Sequence, residues 1–410
     1  MAGENPVLSS TPNNGSQRFT TAPTSRLRSA PEARVMPYAQ VRGWGMHVPS
    51  RVVPNESFVK MGLNTTNEWI SSRTGIEERR VAARNEATSD MAVRAARQAL
   101  KVGEAHASEI DLIVVATCTP DYIMPSTASL VQNRLGANRA GAVDLNAACS
   151  GFVYALAMAA GQIEAGRARQ ALVIGADELS LHLDWKDRST CVLFGDGAGA
   201  VLLQAGSDPG IMASTMGSDG SGADLLYIPG GGSRYGSNGR NGNGHARYLR
   251  MNGPQIYRWA TRMMARAAEE VIRNSNITPD KIDVFIPHQA NLRIIENTAK
   301  RLGIDRDKVF SNVGRYGNTS AASIPIALCE AIAAGRVDQD DNIVLSSFGA
   351  GLSWAALALR WTVNTGAKRS RWMPFRQGLE SRVAAVRSVV RRQERRVRAS
   401  IDERFRSDGR

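Results

Sequence analysis

The feature that most constrains the fold of this 410-residue chain is that it repeats itself. An Ile-Asp pair opens an apolar, β-branched run at Asp111 (IDLIVVATC) and another at Asp283 (IDVFIPH). An Ala-Gly-Arg triplet closes a long helical window at Arg167 and again at Arg336, so the two intervals are 56 and 53 residues. A recurrence at that spacing is the mark of a duplicated unit. Within each unit short β-branched runs alternate with longer helical windows. The first has AGAVDLN, QALVIGADE and GAVLLQA as strands around the helix SGFVYALAMAAGQIEAGR; the second has a helix over 291–302, SAASIPIALCEAIAAGR, then the strands DNIVLSSFG and WAALALRW. The fold class is α/β, and two copies of such a unit pack naturally as a pseudo-twofold pair with helices buried between two sheets. Corresponding segments of the two copies then meet near the shared axis.

The duplicated region divides into halves at 36–206 and 207–362. Residues 1–35 are rich in Ser, Thr, Asn, Pro and Gly and lack a periodic apolar pattern, so they read as a disordered arm. They contain no apolar stretch like that of a secretory signal, although a Ser/Thr-rich, Arg-containing segment faintly resembles an organelle transit peptide, which makes a plastid the alternative to the cytoplasm. With apolar runs that stop at about eight to ten residues, the chain lacks the roughly 20 needed to cross a bilayer. The net charge of +13 is uneven. Residues 363–410 hold 14 Lys+Arg against 5 Asp+Glu, a balance of +9 that leaves only +4 for the rest, so the charge does not make the core a nucleic-acid binder. In that tail Leu379, Val383, Val386, Val390, Val397 and Ile401 recur at near-heptad spacing among arginines, predicting a basic amphipathic helix suited to an anionic membrane surface, to self-pairing or to a partner.

Four cysteines at 118, 149, 191 and 329 form no CxxC pair and have no histidine at metal-ligand spacing, which argues against a disulfide framework or a zinc site and fits a reducing compartment. Cys149 is distinctive because DLNAACSGFVYAL places it where a strand gives way to a helix. Free N–H groups and the positive end of the helix dipole there favour a thiolate. His288 ends the run VFIPH, at the C-terminal edge of a strand where α/β sites open. Asn318, in RYGNTSAAS, taken alone reads as a turn or cap residue. FGDGAGA at 194–200 lacks the GxxxxGK pattern of a phosphate loop, and its glycines read as permitting close backbone approach.

AACSGF, PHQANLRI, GNTSAAS and FGAG (348–351), in this order and spacing, resemble the 3-oxoacyl-ACP synthase III family of the thiolase superfamily over about residues 37–362. The resemblance implies a thiolase-like fold and a decarboxylating condensation of an acyl-CoA primer, such as acetyl-CoA, with malonyl-acyl carrier protein. It makes Cys149 the nucleophile and gives His288 and Asn318 the decarboxylation step. The backbone N–H groups of Cys149 and Ala350 would hold the oxyanion. It further implies that Trp69, Arg73 and Arg188 bind coenzyme A, with adenine between Trp69 and Arg188. Arg258 together with Gln289, Ala290, Asn291, Leu292 and Arg293 would receive the acidic carrier protein, and Met124 would reach the acyl pocket of a partner in a homodimer. No metal or redox cofactor is required by such chemistry. A related ketosynthase of secondary metabolism and a non-catalytic scaffold are the competing readings; the intact Cys, His and Asn set disfavours the scaffold.

Overall fold

A computed structural model describes residues 36–234 and 245–365 of the chain. The arm at 1–35 and all but the first three residues of the basic tail, 363–410, lie outside the described residues. The repeated aspartates explain why the chain repeats. Asp111 Oδ2 accepts from the backbone N–H of Arg169 (2.8 Å) and Gln170 (3.2 Å), and Asp283 Oδ2 accepts from that of Asn342 (2.8 Å). Each carboxylate thus ties the start of one strand to the start of its neighbour.

The first sheet contains β1 (Tyr38–His47), β2 (Leu112–Ala116), β3 (Gly141–Leu145), β4 (Gln170–Glu178) and β5 (Asp196–Gly206), in the order β1-β5-β4-β2-β3. Strand β2 runs parallel to β3 and β4, whereas β5 runs antiparallel to β4 and β1. The second sheet contains β6 (Ile211–Ser218), β7 (Val284–Pro287), β8 (Asn342–Gly349) and β9 (Ser353–Arg360), in the order β7-β8-β9-β6, with β7 parallel to β8 and the other pairs antiparallel. It reproduces β2-β4-β5-β1 strand for strand. The counterpart of β3 is reduced to a single parallel bridge between Phe285 and Val309.

Seven helices of eight residues or more occur among the described residues: α1 (Asn67–Thr74), α2 (Thr88–Val102), α3 (Thr127–Leu135), α4 (Gly151–Glu164), α5 (Gly253–Asn274), α6 (Leu292–Leu302) and α7 (Ser323–Ala333). Helices α4 and α7 are apolar nearly all round, the composition of helices that bury most of their surface, and only Met158, Gly161 and Gln162 of α4 and Ala333 of α7 are exposed within the two. They lie in one core with Val114, Val173 and Val201 of the first sheet and Ile286, Leu345 and Leu357 of the second. The alternating residues Ile113, Val115, Leu172 and Ile174 face the other way, onto α2 and α3. Helices α5 and α6 cover the outer face of the second sheet in the same manner. Each fully buried Val, Leu or Ile in these layers contributes about 1.5–3 kcal/mol, so the stacking of five layers is the main source of stability.

Close approach is built in with glycine. A Cβ on Gly43 or Gly45 of β1 would lie 2.1 Å from Ala99 O or 2.3 Å from Ala95 O, so only glycines let α2 sit that near the strand. The glycines of FGDGAGA act likewise. A Cβ on Gly199 would fall 2.6 Å from Pro325 Cβ of α7, in keeping with a packing rather than a phosphate-binding role.

Candidate active site

Cys149 and Asn318 occupy matching turns. In the first half Asn146 Oδ1 accepts from Ala148 N–H (3.1 Å), Ala148 has a left-handed φ of 46°, and a 3-10 turn over Ala148–Ser150 feeds α4. In the second, Asn318 Oδ1 accepts from Ser320 N–H (2.8 Å), Ser320 has φ 52°, and a 3-10 turn over Ser320–Ala322 feeds α7. The two turns meet at the interior, with Cys149 Sγ 3.4 Å from Ser320 Oγ. Because the Asn318 carbonyl is engaged by its own turn, its amide NH₂ is left for the cavity and for the Cys149 thiol.

His288 follows β7, held by its N–H donating to Ser346 O (2.8 Å) on β8. Its ring Nδ1 lies 2.6 Å from Ser323 Oγ, at the first turn of α7. Cys149, His288 and Asn318 all line one cavity of about 500 Å³, which extends past Leu226, Ile256 and Phe348 to Trp69, Arg73 and Arg188. The three side chains are nearly buried, at 7%, 3% and 7% exposure.

Burial sets their charge state. It depresses the His288 imidazole to about 3, so the ring is neutral in any ordinary buffer. It also pushes the Cys149 thiol up to about 12, against the opposing hydrogen bonds of Ser320 and Asn318. Desolvation by burial thus opposes the thiolate that the helix terminus favours. Such a site is equipped for charge that develops only when a reactant is bound, since neutral donors in a dry cavity are most effective toward an emerging oxyanion.

The turn carrying Ala350 is fastened to the turn carrying Cys149. Ser353 Oγ is within hydrogen-bond range of Ala147 O (2.9 Å) and Ala350 O (3.0 Å), and a Cβ on Gly349 would fall 2.8 Å from Cys149 N. This contact needs glycine and brings the backbone at Gly349 against the Cys149 N–H.

At the other end of the cavity, Thr66 caps α1 by accepting from Trp69 N–H (3.0 Å). The Arg73 and Arg188 guanidinium carbons each lie 4.7 Å from the Trp69 ring centroid. Arg188 thus sits directly over the indole, with its Nη1 donating to Asn64 O, and two planes so close leave no room for a base between them. An adenine ring sandwiched as the sequence suggested must displace Arg188.

The residues expected at a carrier-protein surface divide. Arg258 and Arg293 are exposed, Arg293 at the cavity and Arg258 on a groove of about 440 Å³ shared with Trp259, Arg262 and Arg301. Asn291 caps α6 by accepting from Arg293 N–H and donates to Arg73 O (3.1 Å), while the half-buried Leu292 packs on Gly75; Ala290 lines the cavity. Gln289 is 1% exposed, donating to Pro287 O (2.6 Å) and accepting from Asn312 N–H (3.0 Å). Burial takes its side chain out of any docking surface. Met124 is 84% exposed beside Ile123 and Tyr122.

Sequence reasoning passed over Ser320 and Ser323, for which alignment of the two turns would have been the signal. Cys118, to which the sequence assigned no role, also borders this turn, with its Sγ 3.9 Å from Ser320 Oγ.

The profile described as 3-Oxoacyl-[acyl-carrier-protein (ACP)] synthase III matches residues 143–220, and that of its C-terminal region matches 272–361. Together these segments contain Cys149, Arg188, His288, Asn318 and Ala350. The beta-ketoacyl-[acyl-carrier-protein] synthase III of Symbiobacterium thermophilum is 50% identical over 322 residues, covering 78% of this chain and 97% of the relative. That of a Roseiflexus species is 47% identical over 326 residues, covering 79% and 99%. Among solved structures, 3-oxoacyl-[acyl-carrier-protein] synthase III from Aquifex aeolicus is 44% identical with a TM-score of 0.73, covering 79% of this chain and 100% of that one. The priming beta-ketosynthase of the R1128 polyketide pathway is 36% identical with a TM-score of 0.76, covering 82% and 100%.

Proposed function

This chain belongs to the 3-oxoacyl-[acyl-carrier-protein] synthase III family and catalyses the condensation that initiates fatty acid synthesis, and we propose that Cys149, His288 and Asn318 carry the chemistry. The observation that carries this assignment is the convergence of all three on one cavity wall from both halves of the fold, with the imidazole kept neutral.

In the first half-reaction Cys149 attacks the thioester carbonyl of an acyl-CoA primer. Backbone N–H groups of Cys149 and Ala350 hold the tetrahedral oxyanion, coenzyme A leaves, and the thiol proton departs with it as the free coenzyme A thiol. In the second, malonyl thioester enters with its carbonyl oxygen toward His288 and Asn318. The bond to its carboxylate breaks, carbon dioxide leaves, and the electron pair passes into an enolate whose oxygen accepts from the imidazole N–H and the amide NH₂. The enolate carbon then attacks the acyl-Cys149 carbonyl and displaces the cysteine sulfur as a thiolate, which takes a proton from water to replace the one that left with coenzyme A.

Trp69, Arg73 and Arg188 are proposed to bind coenzyme A at the outer end of the cavity, with Arg258 and Arg293 meeting the acidic carrier. A homodimer is supported by the exposed Tyr122, Ile123 and Met124 and by the exposed edge strand β3, where Val143 is 50% exposed. Met124 would then reach the partner's acyl pocket. Among the described residues no helix is long and apolar enough to cross a membrane. The four free thiols fit the cytoplasm.

Intact-protein mass spectrometry after exposure to acetyl-CoA tests the roles. Cys149→Ala should gain no acetyl mass. His288→Ala and Asn318→Ala should gain it yet fail to release carbon dioxide from malonyl thioester, and loss of acylation in both would remove them from the decarboxylation role. The likeness to the R1128 priming ketosynthase favours, as a second reading, a priming enzyme of polyketide synthesis. Selection of a primer longer than acetyl in competition would support it.

A further inference from the structure

Ser323 Oγ has two partners among the described residues: His288 Nδ1 at 2.6 Å and the backbone N–H of Gln289 at 3.4 Å. An N–H group only donates, so Gln289 takes a lone pair of the hydroxyl oxygen. The hydroxyl proton then has one acceptor there, the lone pair of Nδ1. The surroundings hold this arrangement in place. His288 is pinned through its own N–H to Ser346 O, Gln289 is fixed at both ends of its side-chain amide by Pro287 O and Asn312 N–H, and Ser323 is 1% exposed.

We infer that Ser323 is a positioning residue that holds His288 as the Nε2–H tautomer, with that N–H presented to the cavity. A neutral imidazole carries one proton, and a ring whose Nδ1 accepts from Ser323 must bear it on Nε2. Nε2 has no partner among the described residues, so its N–H is free for a reactant. Without the hydroxyl, Nδ1 becomes an unpaired buried acceptor, and the ring relieves this by turning over or by moving its proton. Either change leaves a lone pair where the emerging enolate oxygen needs a donor. Acylation of Cys149 does not use that donor. The inference rests on the proposed role of His288 in decarboxylation.

Two measurements on the full-length protein test it. With ¹⁵N-labelled histidine, two-bond ¹⁵N–¹H correlation spectra identify the tautomer of His288, assigned by loss of its signal in His288→Gln; wild type should show Nε2–H. In kinetics, Ser323→Ala should slow carbon dioxide release from malonyl thioester by about 10- to 100-fold, taking as the guide the range for removing a partner that orients a metal-bound histidine. Its acetylation by acetyl-CoA should stay within about twofold of wild type, and Ser323→Thr, which keeps the hydroxyl, should restore most of the decarboxylation. An Nδ1–H tautomer in wild type would overturn the inference even if Ser323→Ala does not fold, as would unchanged decarboxylation in a folded Ser323→Ala. Failure of the underlying reading looks different: His288→Ala would release carbon dioxide at the wild-type rate, whatever tautomer the wild-type spectrum shows.

Discussion

Gly349→Ala places one methyl group against the backbone of Cys149. The added Cβ would lie 2.8 Å from Cys149 N, 3.0 Å from Ser150 N and 3.1 Å from Ala147 O. A comfortable heavy-atom contact is about 3.5 Å, so one side must retreat by roughly 0.7 Å. All three atoms are backbone in a turn already held by Asn146 and Ser353, and no flexible side chain can absorb the shift. Overpacking of this kind costs about 1–3 kcal/mol of stability. The larger consequence is chemical, because the displaced atoms include the Cys149 N–H proposed to receive the oxyanion. Losing one such donor lowers turnover by about 10²- to 10³-fold. Acetylation of Cys149 from acetyl-CoA, followed by intact mass in a quenched-flow series, reads this step alone, and a thermal melt reads the stability. Gly161→Ala is the control: its Cβ would meet nothing within 4 Å on the exposed side of α4, so neither measurement should fall. A Gly349→Ala protein that acetylates at the wild-type rate would refute the placement of the oxyanion donors beside this strand end.

Three further outcomes follow from charge and stacking. Since burial holds the Cys149 thiol near 12, iodoacetamide should modify it slowly at pH 7 and at a rate still rising above pH 9, whereas a plateau below pH 8 would show a standing thiolate. His288 is depressed to about 3 in the fold against 6.5 for an ordinary histidine, so the unfolded chain takes up a proton that the folded one refuses. Its contribution to stability is complete above about pH 6.5 and is lost as pH falls toward 3; denaturant midpoints of His288→Gln should decline less between pH 6.5 and 4.5 than those of wild type, and parallel declines would mean the ring titrates normally. Arg188→Ala should raise the KM for acetyl-CoA about 2- to 5-fold with kcat unchanged, as expected for losing one exposed cation–π partner, and an unchanged KM would remove Arg188 from the nucleotide site.

The duplication, the succession of strands and helices along most of the chain, and the burial of α4 and α7 between two sheets were legible because they follow from apolar pattern and repetition. Strands β1 and β6 were not. YAQVRGWGMH shows two glycines where a strand reader expects β-branched residues, and those glycines are there because α2 presses on the strand. The placing of Cys149, His288 and Asn318 together was legible from the repeat. Their ionisation was not, because a sequence shows the helix terminus that favours a thiolate but not the desolvation that opposes it. Gln289 misleads for a related reason: a polar residue within a polar run reads as surface, yet its amide satisfies buried backbone groups of a neighbouring segment. Arg188 shows a third limit, since its stacking on Trp69 is a contact between residues 119 positions apart that no local pattern reveals.

The paired turns explain why a duplicated fold yields an asymmetric site. Asn146 and Asn318 are equivalent by contact, each accepting from the N–H two residues on, and Ala148 and Ser320 are equivalent by their left-handed φ. The next residue is Cys149 in one half and Ala321 in the other. Ala321 donates its N–H to the buried carboxylate of Asp177 (3.1 Å), so this half's turn end is already satisfied. Cys149, by contrast, has Gly349 packed against its nitrogen and Ser320 against its sulfur. The same local geometry therefore seats the proposed nucleophile in one half and forms a rigid wall in the other. Asn318 keeps the structural duty that Asn146 has and adds to it, because its amide borders the cavity and Asn146 does not line it. Removal of Asn318 takes away the donor and one contact of the turn together, and acylation of Cys149 separates the two. The acylation expected of Asn318→Ala means that the turn holds without that contact, whereas a loosened turn would disturb the thiol through Ser320.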